Sequence, residues 1–358
     1  MNLIKKWLNR FFIDGLSGMA LGLFSTLIIG TIITQIGSFV LTINSFAGSL
    51  ILTIGKVAMA LTGAGIGAGV AYKFKASAGV VISAMTAGMI GSFATKILDE
   101  SVYVDGKIVF SGPGEPLGAF LAAYVAIEIG CLITGKTKID IILTPLVTIS
   151  SGAAVGVLLG PPISALMTQL GNLINWGTEQ QPFLMGIVVS VLMGMILTLP
   201  ISSAAIGVIL NLSGIAAGAA TIGCCANMIG FAFASYKENR LGGVFAQGIG
   251  TSMLQVPNIV KKPVIWLPAI ITSAVLGPIS TCLLKMTNNA TGSGMGTCGF
   301  VGQIMAYQTM TMRGTAAWLV ILEMAVMHFI LPAVMAFAIS KAMRKLGWIK
   351  DGDMKLDL

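Results

Sequence analysis

The feature that most constrains this fold is a series of apolar stretches, each long enough to cross a lipid bilayer. A transmembrane helix needs about 20 mostly apolar residues. Only 9% of the residues are charged, against roughly a quarter in soluble domains. We therefore predict an all-α polytopic membrane protein with about ten transmembrane helices. The predicted spans are residues 15–42, 46–72, 76–98, 116–134, 141–160, 183–199, 201–217, 219–236, 264–284 and 314–340.

Lysine and arginine residues lie in short clusters between the apolar stretches. The net charge of +8 therefore indicates membrane topology and not a nucleic-acid-binding face. With an even number of spans, the clusters all fall on one side of the membrane, which predicts that both termini are cytoplasmic. These clusters are Lys5/Lys6/Arg10, Lys73/Lys75, Lys136/Lys138, Lys237/Arg240, Lys261/Lys262 and Lys341/Arg344/Lys345.

Cysteine and glycine patterns give no support to a metal or nucleotide site. The five cysteines lie in or beside apolar stretches, without a CxxC pair or a nearby histidine cluster, so we expect packing residues and no metal. Gly294, Gly296 and Gly299 spell GxGxxG, but this motif indicates nucleotide binding only between a strand and a helix of a soluble βαβ unit. We predict no cofactor.

Two polar, glycine-rich segments interrupt the apolar pattern in the second half of the chain. They are GGVFAQGIGTSMLQVPNIVKKP, 242–263, and NNATGSGMGTCGFVGQ, 288–303. Irregular backbone at membrane depth persists only inside protein or beside a wet cavity. Paired interruptions in a transporter are the best sequence pointer to its solute site. We therefore predict two re-entrant, hairpin-like segments.

The first of these segments carries polar side chains at helical spacing. Gln247, Thr251, Gln255 and Asn258 follow one another at intervals of four, four and three residues. If this stretch is helical, their side chains share one face. Such a face could line one polar cavity, although polar residues also hold transmembrane helices together without any solute.

Three stretches, GTSMLQVPNIVKKP, GSGMGTCGFVGQI and GKTKIDIILTPLV, resemble the membrane (EIIC) component of the bacterial phosphotransferase system. The group that they resemble includes perfringolysin O regulator-like proteins, and the resemblance covers nearly the whole chain. It implies a homodimer in the bacterial inner or plasma membrane. It also implies a sugar that enters from outside and is phosphorylated by separate IIA and IIB partners. The glutamate-bearing hairpin motif of glucose-type members is not found here.

The resemblance also implies a division of the chain. We predict an amphipathic interfacial helix at 1–14, a dimerisation half at 15–160, an amphipathic connector at 161–182, a substrate-binding half at 183–340 and a cytoplasmic tail at 341–358. The connector begins with a helix break near Pro161 and Pro162.

Sugar hydroxyls are bound by amide, hydroxyl and carboxyl side chains, and the resemblance places such residues in the second half. The expected solute contacts are Gln247, Thr251, Gln255, Asn258, Asn289 and Gln303, with Asn227 and Glu238 as weaker candidates. No self-contained catalytic site is found. His328, the only histidine, lies five residues after Glu323, about 140° around a helix, so we expect a packing residue.

Three functions stay open at this point. The first is transport of a sugar or related polar solute, driven by phosphoryl transfer from separate proteins or working as a secondary carrier. The second is a membrane sensor or regulator on a transporter scaffold without flux, which needs a cytoplasmic protein partner. An ion pathway is a weaker third, because the two interrupted segments contain no carboxylate.

Overall fold

A computed structural model describes residues 7–356, with the side chains of all of these except Ala205 and Ile209. The predicted all-α fold class is confirmed, with one small exception, an antiparallel hairpin of strands β1 (Tyr103–Val104) and β2 (Lys107–Ile108). The helices of the first part of the chain are α1 Trp7–Leu41, α2 Ser45–Ala60, α3 Thr62–Lys73, α4 Ala78–Ser92, α5 Ala94–Leu98, α6 Pro116–Ile133 and α7 Asp140–Thr178.

The second part of the chain is also helical, with several short or irregular elements. Its helices are α8 Pro182–Thr198, α9 Ser203–Ile209, α10 Gly214–Ala234, α11 Tyr236–Phe245, α12 Val256–Lys261, α13 Pro263–Leu284, α14 Ala290–Ser293, α15 Val301–Met312 and α16 Ala317–Lys345. Between α11 and α12 the backbone forms a π-helical turn, Ala246–Gly250, and a 3₁₀ turn, Ser252–Gln255.

Six of the described helices are long and apolar enough to cross a membrane: α1, α6, α7, α10, α13 and α16. Helices α2 and α3 would together form a seventh span, bent by 52° at their junction. Helices α4 and α8 are apolar but shorter. The protein is therefore a multi-pass membrane protein, and the count of about ten spans stays a prediction.

Two sequence expectations need correction. The helix break expected near Pro161 and Pro162 is absent, because α7 continues through both prolines to Thr178. The span expected at 201–217 is instead the short helix α9 followed by a turn, and a new helix begins at Gly214. Residues 1–6 of the expected interfacial helix lie outside the described residues. Its remaining residues, 7–14, form the beginning of α1.

The chain forms two compact units, Met1–Leu166 and Met167–Leu358. In the first unit, helices α1 and α3 approach each other through glycines. A Cβ atom on Gly22 would lie 2.2 Å from the backbone oxygen of Gly65, so only glycine permits this contact. Small residues commonly allow membrane helices to approach closely, where van der Waals packing replaces the hydrophobic effect.

In the second unit, helix α10 lies at the centre, and most of its residues are buried. Helices α8, α13 and α16 pack around it. Ser190 of α8 packs directly against Gly223 of α10. A Cβ atom on Gly223 would lie 1.8 Å from the Ser190 carbonyl oxygen. The buried amide of Asn227 in α10 joins α13, because it accepts a hydrogen bond from Trp266 Nε1 at 2.9 Å.

Candidate functional site

The first interrupted segment begins within α11 and packs against α10. Gly248 lies against Ile229 of α10, and Ser252 hydrogen-bonds Thr198 of α8 at 2.8 Å. Thr198 donates in turn to Asn227, which lies seven residues before the end of α10. At 1.5 Å rise per residue, the segment reaches about 10 Å along α10.

The second interrupted segment approaches α10 from its opposite end. The backbone N–H of Asn288 donates to Gly214 O at 3.2 Å, at the start of α10. Further along, Gly296 lies against Cys224, ten residues into the helix. Gly296 and Gly299 have positive φ angles, and Phe300 adopts the left-handed conformation at φ 59°. This irregular backbone agrees with the glycine-rich sequence.

The two segments meet beside the middle of α10. Thr297 Oγ1, from the second segment, donates to the carbonyl oxygen of Gly248 in the first. Both residues are buried, and Met228 of α10 lies at the same point, with its sulfur accepting from Thr297. The fold therefore brings together the two segments that the sequence marked as interrupted.

Three of the predicted solute residues form a buried row of amides. Gln255 Nε2 donates to Gln247 Oε1 at 2.8 Å, and Asn258 Nδ2 donates to Gln255 Oε1 at 2.9 Å. The row ends on the backbone of the C-terminal segment. Gln255 Nε2 donates to Met354 O at 3.0 Å, and Asn258 Nδ2 donates to Lys355 O at 2.8 Å. In this conformation the amide row (Gln247, Gln255 and Asn258) therefore binds protein.

Ion pairs and apolar packing also hold the C-terminal segment in place. Lys262 Nζ lies 2.6 Å from Asp353 Oδ2. Burial would raise the pKa of Asp353, but the hydrogen bonds from Lys262 and from the Lys350 N–H outweigh it and lower this pKa below its usual range. Met354 is fully buried and packs in a core cluster with Phe231 of α10.

Three other predicted solute residues, Thr251, Asn227 and Glu238, lie apart from the amide row. Thr251 accepts a hydrogen bond from Met253 N at 3.2 Å and so caps the 3₁₀ turn. Asn227 is bonded to α8 and α13 inside the helix bundle. Glu238 pairs with Arg344 at 2.7 Å. The structure therefore does not bring these three into contact with the amide row.

Asn289 and Gln303, both in the second segment, keep unused hydrogen-bonding capacity. Asn289 Oδ1 accepts from Gly292 N at 2.9 Å and caps α14, while its Nδ2 has only the sulfur of Met305 as a partner in the described part of the chain. Gln303 is buried, and its Oε1 has no partner among the described residues. The hydroxyl of Thr287, which is also buried, lacks a partner there as well.

The two ends of the second segment are held side by side. Asn288 Nδ2 donates to Gly302 O at 3.0 Å and to Thr221 Oγ1 at 2.8 Å. Asn289 contacts Met305, which lies two residues after Gln303 and on the other side of α15. Buried polar atoms without partners are rare in folded proteins, and an unfilled binding site is one explanation.

His328, which the sequence predicts to be a packing residue, contacts one of the predicted solute residues. It is buried in α16, and its Nδ1 lies 3.0 Å from Gln303 Nε2. The pair is 25 residues apart in the chain, so no local spacing signals the contact. The one available signal was an ionisable residue inside a predicted membrane span, which often marks function.

These observations define a helical multi-pass membrane protein in which two interrupted segments meet beside a central helix. A comparison with protein families matches residues 13–356 to the family described as Phosphotransferase system, EIIC. The chain belongs to this family, which confirms the resemblance drawn from the sequence. A search among curated proteins finds no match. Family membership makes the chain a membrane component of a phosphotransferase transport system, and it gives no support to the sensor alternative.

Proposed function

We propose that this protein binds a sugar or related small polar solute in its second unit and moves it across the membrane. Separate IIA and IIB proteins then supply the phosphoryl group. The protein works as a homodimer in the bacterial plasma membrane, with both termini in the cytoplasm. In this proposal the two interrupted segments are re-entrant hairpins that hold the solute.

One observation carries the proposal: Gln303 and Thr287, in or beside the second segment, each keep a buried side-chain oxygen that has no partner among the described residues. Within residues 7–356, Gln303 Oε1 and Thr287 Oγ1 have no hydrogen-bond partner, and Asn289 Nδ2 has only the sulfur of Met305. A sugar presents many hydroxyls, each able to donate and to accept. A pre-formed apolar pocket with a few such polar groups is the usual form of a small-molecule site.

The phosphorylation step requires a partner, because the solute site contains only amides and hydroxyls. Glutamine, asparagine and threonine can orient a sugar hydroxyl for in-line attack. They supply no phosphoryl group. The membrane component therefore positions the acceptor hydroxyl, and the IIB-type partner brings the phosphoryl donor.

Thermal stabilisation of the purified protein in detergent tests the proposal, because a solute that binds the folded state raises its melting temperature. The probes are neutral sugars, sugar alcohols and sugar acids. Asn289→Ser keeps the cap on α14 but removes the amide donor, and Gln303→Leu removes the free acceptor. The matched control is Gln308→Leu, an exposed amide in the same helix as Gln303.

We expect a dose-dependent shift with one class of sugar. Each site variant should weaken binding roughly two- to tenfold, as expected for one neutral hydrogen bond. The Gln308 variant should bind like the wild type. Absence of stabilisation by every probe, together with no uptake into proteoliposomes containing the partner proteins, would contradict the proposal.

A further inference from the structure

The contact between His328 and Gln303 fixes which face of the glutamine amide is free. Gln303 Nε2 faces His328 Nδ1 at 3.0 Å and Cys225 Sγ at 3.5 Å. A neutral imidazole has one donor and one acceptor nitrogen. In the orientation that the structure gives the amide, Nε2 donates to Nδ1, which makes Nδ1 the acceptor and places the imidazole proton on Nε2.

This arrangement leaves the carbonyl oxygen of Gln303 as the free group. Oε1 is buried and has no partner among residues 7–356. If His328 carried its proton on Nδ1 instead, the amide would turn over and present its NH₂ group. The tautomer of His328 therefore decides whether Gln303 offers an acceptor or a donor.

The free oxygen of Gln303 suits a hydroxyl better than a carboxylate. A sugar hydroxyl can donate a hydrogen bond to Gln303 Oε1. A carboxylate has acceptors only, and it would face Gln303 Oε1 with no proton between the two oxygens.

The types of buried polar residue also favour an uncharged solute over a carboxylate. In the described part of the second unit, the fully buried polar residues are serine, threonine, asparagine, glutamine and His328. No lysine or arginine is among them. An isolated ionised carboxylate is costly to bury without a partner.

We propose that His328 is a positioning residue that holds the carbonyl oxygen of Gln303 toward the solute, so that the site selects an uncharged, hydroxyl-bearing solute over the corresponding acid. This inference rests on the proposed function and adds a substrate class to it. His328 acts through Gln303 and does not itself contact the solute.

The first test uses the fact that the chain has one histidine. Nitrogen NMR of the full-length protein labelled with ¹⁵N-histidine in detergent reports one imidazole. We expect a neutral ring with the proton on Nε2. A ring protonated on Nδ1 would overturn the inference, whatever the protein transports.

The second test compares binding of matched probes, glucose with glucuronate and galactose with galacturonate, by thermal stabilisation. We expect at least one neutral sugar to bind and its acid to bind more than tenfold weaker, as when a site's hydrogen bonds are unmatched. His328→Phe removes the acceptor and should weaken binding of the neutral sugar roughly two- to tenfold. His328→Asn returns an acceptor near the Nδ1 position and should restore binding.

A double-mutant cycle separates positioning from a general effect on the fold. In the Gln303→Leu background, His328→Phe should cause no further loss of affinity, because its effect passes through Gln303. Additive losses would overturn the inference, and so would tighter binding of the acids. Unchanged sugar binding in His328→Phe would overturn this inference alone, whereas binding of no probe by the wild type would contradict the proposed function as well.

Discussion

The substitution Gln255→Leu separates a structural role from a solute-binding role in the amide row. Gln255 is fully buried. It donates to Gln247 Oε1 and Met354 O and accepts from Asn258 Nδ2. Leucine has a similar size but makes none of these three hydrogen bonds. We expect this variant to lose stability and to release the C-terminal segment.

The expected loss of folding stability follows from the hydrogen-bond partners that remain in the variant. Met354 O keeps the hydrogen bond from Asn239 at 2.8 Å, and Asn258 keeps Lys355 O. Gln247 Oε1 loses the donor that Gln255 supplied. Three hydrogen bonds at about 1 kcal/mol each, plus about 1–3 kcal/mol for the unpaired oxygen, give about 4–6 kcal/mol. Burial of the leucine side chain offsets about 1.5–3 kcal/mol, so the net loss is about 3 kcal/mol.

Thermal unfolding in detergent measures this loss, and digestion with a carboxypeptidase measures release of the C-terminal segment. Gln308→Leu makes the same chemical change at an exposed position and should leave both measurements unchanged. Below its melting temperature, the Gln255 variant should still bind solute with nearly wild-type affinity. A stable variant that no longer binds solute would refute the reasoning, because it would place Gln255 in the solute site.

Three further predictions follow from other contacts. Gly223→Val should prevent close packing of α8 and α10, because even a Cβ atom would lie 1.8 Å from Ser190 O; a monodisperse variant of normal melting temperature in size-exclusion chromatography would contradict this. Because the pKa of Asp353 is lowered, its ion pair with Lys262 stabilises the fold fully above pH 3.8, the ordinary pKa. This stabilisation is lost as the pH falls through the lowered pKa. Asp353→Asn should therefore expose the C-terminal segment to carboxypeptidase at neutral pH, where the wild type is protected, and equal protection of the two would argue against the ion pair. Burial raises the pKa of Glu115, which caps α6, to about 7, so the wild type should lose stability as the pH rises from about 4.5 to about 7; Glu115→Gln should remove this slope in melting temperature, and an unchanged slope would assign it elsewhere.

The sequence predicts the class of fold well, because bilayer thickness imposes long apolar helices that are visible residue by residue. The predicted helix break at Pro161 and Pro162 is wrong, because α7 continues through both prolines. Proline lacks one backbone donor, but membrane helices tolerate it where neighbouring groups satisfy the freed carbonyl. The predicted span at 201–217 is also wrong, because this stretch contains a turn before Gly214 although its overall composition is apolar.

The site is predictable only in part. Glycines and amides in an apolar setting mark both interrupted segments, and the structure brings these segments together at Thr297 and Gly248. The partners of the amide row could not be predicted, because the spacing of Gln247, Gln255 and Asn258 describes a shared face but not what covers it. The covering segment includes Met354, about 100 residues away from Gln255 along the chain, and no local pattern encodes such a contact.

The most direct test of the account is equilibrium binding of a radiolabelled neutral sugar, selected by thermal stabilisation, to the wild type, Gln303→Leu and Gln308→Leu. We predict that the wild type and the Gln308 variant bind equally, and that the Gln303 variant binds roughly two- to tenfold weaker, because it lacks the free carbonyl oxygen of Gln303. Equal binding by all three proteins would contradict the assignment of the solute site to the second interrupted segment.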